Sequence, residues 1–167
     1  MKLIIHDLDE QMAAQVIAGV ADAVVLRDDG NIRRCIGCFG CWVKTPGRCV
    51  LGDSYCDLSQ IIARSDEIII ISRCMYGCYS PFVRNVLDRF LPFLLPYLAI
   101  YENEMHHRPR YKKHKPVLSV YFYGEDIQAA EQETARKLVA ANAKNFHSLS
   151  NQVTFVTSPK QLEGSLA

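Results

Sequence analysis

No apolar run in this chain is long enough to cross a bilayer. The longest, residues 90–100, is interrupted by Pro92 and Pro96, whereas a spanning helix needs about 20 consecutive apolar residues. An excess of charge is also missing: 19 Lys and Arg against 18 Asp and Glu give a formal net charge of +1, so nothing global favours nucleic acid or acidic lipid as a partner. Met1 is followed at once by the strand-like KLIIH, without the basic and apolar regions of a secretory signal; the expectation is a cytoplasmic protein with no membrane association. Internal repeats and a domain linker are lacking as well. The 167 residues suit a single domain, 1–167, able to bury a full core without disulfides.

What the chain does have is organised around residues 66–89, DEIIIISRCMYGCYSPFVRNVLDR. Four consecutive isoleucines, Ile68 to Ile71, bounded by charge, read as a strand buried on both faces of a parallel sheet. Ser80 followed by Pro81 reads as a helix start, with Ser as cap and Pro at the first helical position. The segment is therefore strand, glycine-containing loop and helix, and such a loop holds ligands when its strand lies where strand order reverses.

Around it, Lys2–His6 reads as a strand, residues 7–17 as a helix ending near Gly19, and Ala23–Arg27 as a second strand. Residues 33–53 show no period and hold four cysteines, which marks a functional loop. Residues 54–64 read as a helix. The helix from Pro81 has an apolar face too broad for a surface helix and should stop or kink at Pro92. Residues 93–100 read as core packing, with a homodimer contact as the sharper reading, and 101–115 as a basic surface connection. A fourth strand is expected over 116–123, a helix over 127–146 capped by Asp126, and a fifth strand over 153–156. Strands alternating with helices predict a three-layer α/β fold, its five-stranded parallel sheet in the order 2-1-3-4-5.

The segment RSDEIIIISRCMYGCYSPFVRNVLDR resembles aDaiilgSPvYfGsvsaqlKnflDR of the flavodoxin-like NAD(P)H-dependent FMN reductases. The run Cys35-Ile36-Gly37-Cys38-Phe39-Gly40-Cys41-Trp42, followed by Gly47-Arg48-Cys49 and Asp53, resembles the CxGCxxCw pattern of the iron-sulfur flavoproteins among them. Tyr123-Gly124 sits where that family places a loop beside the flavin, and Glu104 to His107 with Arg110-Tyr111 resembles a recurrent stretch of unknown role. The resemblance covers most of the chain. It implies an FMN-dependent oxidoreductase taking electrons from NADPH or NADH, with Arg73, Cys74, Met75, Tyr76, Gly77, Tyr123 and Gly124 lining the isoalloxazine ring, and a homodimer. On the residues themselves, Met75-Tyr76-Gly77 offers a polarizable side chain, an aromatic ring and a residue that permits close backbone approach.

The chain departs from that pattern in three places. Arg73 stands where the family has Pro and Met75 where it has Tyr. More consequentially, the family's phosphate-cradling loop, of the form GSPRxxSNT, is replaced by His6-Asp7-Leu8-Asp9-Glu10, without Gly, Ser or Thr. Three carboxylates lie where a dianion would sit, at an electrostatic cost on the order of several kcal/mol in a partly dry site.

Cys35, Cys38 and Cys41 at C-x2-C-x2-C spacing resemble the run that wraps a 4Fe-4S cluster, with Cys49, or else Cys56, as a fourth ligand; zinc usually takes two separated pairs. Arg33, Arg34, Lys44 and Arg48 flank the run and would favour thiolate. Cys74 and Cys78 read as small packing residues. His106 and His107 read as a solvated loop, and Arg108, Arg110, Lys112, Lys113 and Lys115 as a solvated basic face or a contact for the NADPH phosphate. No catalytic acid or base can be named. Two rivals stand beside the oxidoreductase: a flavodoxin-like protein without FMN that binds metal or protein, and a metal-free thiol redox sensor.

Overall fold

A computed structural model describes residues 1–111 and 115–166. Its main sheet has five parallel strands in the order β2-β1-β3-β6-β7, formed by β1 Lys2–His6, β2 Ala23–Arg27, β3 Glu67–Arg73, β6 Val117–Tyr123 and β7 Ser150–Val156. Counting only these five, the order is the expected 2-1-3-4-5. The helices are α1 Glu10–Val16, α2 Gly40–Val43, α3 Leu58–Ile62, α4 Pro81–Asp88 and α5 Ala129–Asn145.

The isoleucine run explains the three layers. Successive side chains of a strand point to opposite faces, so Ile68 and Ile70 join Leu3, Ile5, Leu118 and Val120 under α3, α4 and α5. Ile69 and Ile71 join Ile4 beneath α1 and the C-terminal segment, against Val16, Leu162 and Leu166. All four are essentially sealed from water, each contributing about 1.5–3 kcal/mol. Ser80 caps α4 through Val83 N–H, with Pro81 at the first turn.

Several boundaries differ from the sequence reading. The first helix begins only at Glu10, because Asp9 accepts from Met12 N–H and acts as its cap. The helix expected over 54–64 is confined to Leu58–Ile62. The cap of α5 is Gln128, which forms a reciprocal box with Glu131, and not Asp126. The last strand starts three residues early, at Ser150.

The largest correction concerns residues 93–109. Phe93 and Leu94 are buried, but the chain then leaves the core as a hairpin of β4 Leu94–Tyr101 and β5 Glu104–Pro109. Tyr97, Leu98, Ile100 and Met105 are exposed on it. Glu102 and Asn103 form its turn with φ of 49° and 62°, the doubly left-handed geometry that matches strand twist.

Candidate functional site

The carboxyl ends of β1 and β3 lie side by side where the strand order reverses. The chain leaves β1 through His6 and Asp7. His6 is buried; Leu8 N–H donates to its Nδ1 at 3.2 Å, and burial lowers its pKa, so the ring is neutral. The Asp7 carboxylate turns toward β3 and accepts from Arg73 N–H at 3.2 and 3.0 Å on its two oxygens. The Ser72 hydroxyl has Arg73 O at 3.1 Å and Asp7 Oδ2 at 3.4 Å as acceptors and itself accepts from Ser80 N–H at 2.9 Å. Tyr123, at the end of β6, stands beside the same carboxylate: burial first, and then the charge of Asp7, raise its phenol above the ordinary range. One carboxylate therefore joins the ends of β1, β3 and β6.

The expected ring-lining residues are brought together here, although not all as expected. Arg73 is exposed and gives its N–H to Asp7. Cys74 N–H donates to Tyr123 O at 2.9 Å, which fastens the loop to β6. Met75 and Cys78 then exchange both backbone hydrogen bonds, at 2.9 and 3.0 Å, around Tyr76 and Gly77, whose φ values are 55° and 74°. This tight turn holds Tyr76 outward, 88% exposed, beside the half-exposed Met75. Gly77 does permit a close approach, but the partner is α5: a Cβ there would meet Glu131 O and Thr134 Cβ at 2.8 Å. Gly124 gives its N–H to Val156 O at 3.1 Å. The amides of Arg73, Cys74, Met75 and Gly124 are thus engaged within the fold, while the Met75 and Tyr76 side chains are exposed. Cys74 and Cys78 pack partly buried against the core, as expected.

The phosphate end does not fit FMN. Asp7 holds the Arg73 and Ser72 donors, and the Asp9 carboxylate holds Met12 N–H at the start of α1 at 2.8 Å.

The cysteine run is not assembled as a metal site. Cys35 and Cys38 are exposed, Cys49 is half-buried and Cys41 is buried on α2. Among the described residues, no group of three or more His, Cys, Asp or Glu side chains is placed to hold a metal ion. Burial first, then the neighbouring Cys49, pushes the Cys41 thiol up to about 11. Two of the flanking cations have other partners. Arg48 pairs with Asp57 at 2.6 Å and reaches Cys56 Sγ at 3.0 Å, yet burial still raises the Cys56 pKa. Arg33 Nη1 binds Leu51 O at 3.1 Å.

What secures this loop is an interaction that sequence reasoning missed. Arg89, at the end of α4, makes a two-pronged ion pair with Asp53, both contacts at 2.7 Å, and also donates to Arg33 O at 2.7 Å. The two side chains are 0% and 6% exposed. The signal available was an Arg closing an amphipathic helix whose apolar face turns to the core.

The two histidines of β5 point to opposite sides, as adjacent strand residues must, and neither is in a solvated loop. His106 meets Asn145 at 3.0 Å and Glu104 at 3.1 Å, and His107 meets Leu95 O at 2.9 Å under the Trp42 ring. Arg110 binds Pro92 O at 2.9 Å and serves the fold. Arg108 and Lys115 border a cleft of about 740 Å³ between the hairpin and α5, at the far end of the sheet from Asp7; Lys112 and Lys113 lie outside the described residues. A second cleft, of about 470 Å³, carries Cys35 and Cys78 on its wall beside α4 and α5.

The strand order and the helices on both faces of the sheet define the class as a flavodoxin-like α/β fold. No family model and no curated protein matches the chain. Solved structures match its fold at low identity. A NADPH-quinone reductase from P. pentosaceus has a TM-score of 0.57 and 11% identity over 93% of this chain and 84% of that one. An azoreductase from Bacillus anthracis str. Sterne has a TM-score of 0.56 and 11% identity over 96% and 88%. The general stress protein 14 of Treponema denticola in complex with FMN has a TM-score of 0.50 and 14% identity over 99% and 92%. At such identities the likeness carries the fold alone.

Proposed function

We propose that this chain is a flavin-dependent oxidoreductase, drawing electrons from NADPH or NADH through a flavin whose ring lies against Arg73 to Gly77, Tyr123 and Gly124. The observation that carries the reading is the turn at Tyr76 and Gly77. An aromatic ring held outward on left-handed backbone, beside an accessible methionine and at the carboxyl end of the switch-point strand, is a preformed flat contact surface. The low-identity fold matches that are an NADPH-quinone reductase, an azoreductase and an FMN complex agree with it. A bound flavin supplies the redox chemistry; the chain supplies position.

The test is a flavin titration followed by visible absorption, with oxidation of NADPH and NADH by common acceptors measured on the same sample. Resolved, shifted flavin bands and turnover are expected; an unchanged flavin spectrum together with no turnover sinks the reading. Tyr76→Ala should weaken flavin binding about fivefold, the size of one aromatic contact. Its thermal midpoint should stay within error of wild type, because the side chain is 88% exposed.

A second reading, a flavodoxin-like protein without FMN that binds metal or another protein, is favoured by the carboxylates at the phosphate position. It predicts colourless protein indifferent to any flavin. A 4Fe-4S cluster would require Cys35, Cys38, Cys41 and Cys49 to be drawn into one ligand set, and the oxidoreductase reading does not depend on one. A homodimer would use the exposed hairpin, since Phe82, Val83 and Val86 of α4 face the chain's own core.

A further inference from the structure

The flavin reading leaves the filled end of the site to be explained. We infer that Asp7 is a built-in anion that turns the site away from phosphorylated flavins and toward a phosphate-free flavin such as riboflavin; the inference rests on the flavin reading above.

Three donors at the β1 end are already held. Arg73 N–H is within 3.2 and 3.0 Å of the two Asp7 oxygens. The Ser72 hydroxyl accepts from Ser80 N–H at 2.9 Å and has Arg73 O at 3.1 Å and Asp7 Oδ2 at 3.4 Å as acceptors for its own hydrogen, so it is engaged within the fold. Met12 N–H, in the first turn of α1, is held by Asp9 at 2.8 Å. The nearby His6 is kept neutral by burial and offers no positive charge. Arg27, beyond it, leans toward Glu10 at 3.6 Å. A phosphate dianion seated there would face the Asp7 charge, and expelling or protonating Asp7 would lose its partners on two strands.

A ribityl chain ending in a hydroxyl meets the same groups differently. Carboxylates are acceptors with spare lone pairs, and charge-assisted hydrogen bonds from hydroxyls are strong ones. Asp7 and Asp9 can receive ribityl hydroxyls while keeping their internal donors. The same residue thus attracts one ligand and repels its phosphate ester, which is specificity by both routes.

The experiment is titration of the purified full chain with riboflavin and with FMN, read by quenching of flavin fluorescence, for wild type, Asp7→Asn and Asp7→Ser. Wild type should bind riboflavin at least about tenfold more tightly than FMN. Asp7→Asn keeps an acceptor for Arg73 N–H without the charge, and should bring the two affinities within about threefold by improving FMN and leaving riboflavin in place. Asp7→Ser should shift in the same direction, and thermal melts report whether each variant is folded. If wild type binds FMN as tightly as riboflavin, or if the ratio is unchanged in a folded Asp7→Asn protein, the inference is overturned and the flavin reading stands. If wild type and folded variants bind neither flavin, the flavin reading itself fails and takes this inference with it.

Discussion

Arg89→Ala is expected to lower the stability of this protein by about 3–5 kcal/mol, the usual cost of leaving one member of a buried ion pair without its partner. Asp53 would keep Arg33 N–H and Tyr55 N–H as donors, at 2.9 and 3.1 Å, but would lose both guanidinium contacts. For a chain of this length that corresponds to a fall in thermal midpoint of roughly 10 °C. The double variant Arg89→Met with Asp53→Leu should recover most of the loss, because it removes both charges together. Acid supplies an independent check. Hydrogen bonds from Arg89, supported by Arg33 N–H and working against burial, hold the Asp53 carboxyl down at about 2 against an ordinary 3.8. A depressed carboxyl binds its proton more readily once unfolded, so its contribution is complete above about pH 4 and disappears as the pH falls toward 2. Denaturant melts between those limits should show wild type losing about 2 kcal/mol more than the double variant. Equal pH dependence in the two would remove Asp53 as the cause.

Gly77→Ala should cost about 3 kcal/mol or more, from two separable sources. The φ of 74° puts any Cβ in the left-handed region, worth roughly 1–2 kcal/mol. Here the Cβ would also stand 2.8 Å from Glu131 O and from Thr134 Cβ, and one of the two is backbone of α5, so relief means moving a helix, at about 1–3 kcal/mol. Gly30→Ala is the control. Its φ is 73°, with nothing within 4 Å of the added carbon, and it should show the backbone cost alone. Equal losses at the two positions in urea titrations would mean that α5 does not press on the turn.

The parallel sheet was legible because its strands are apolar runs with charged ends, and two-sided burial leaves no other reading for Ile68 to Ile71. The hairpin was not legible, for reasons that lie in its own residues. Pro92 and Pro96 argue against a strand, yet the pairing shifts register between Leu94 and Leu98, so that Pro96 sits where no ladder hydrogen bond is required. Its turn is Glu102-Asn103, without the glycine that usually announces such geometry. At the candidate site the sequence showed which residues gather at the carboxyl edge, and that carboxylates follow the first strand. It could not show that Asp7 is answered by Ser72 and Arg73, 65 and 66 positions away. Pairing across such separations is decided by the sheet register, which no local pattern encodes. The cysteine spacing was plain in the sequence, but the burial of Cys41 on α2 was not.

The clasp at Arg89 also gives the cysteine segment a neck. Arg33 N–H reaches Asp53 at 2.9 Å across 20 positions of chain, while Arg89 grips both Asp53 and Arg33 O, so the segment leaves and rejoins the domain at nearly one point. In polymer terms the loop is closed at its base whatever lies between, and doubling the length of a flexible closed loop costs only about 0.6 kcal/mol. The exposed residues 34–39 are therefore where this segment can gain or lose length with the register of the sheet undisturbed, since Cys41 is buried and Trp42 Nε1 donates to Leu91 O and Leu94 O.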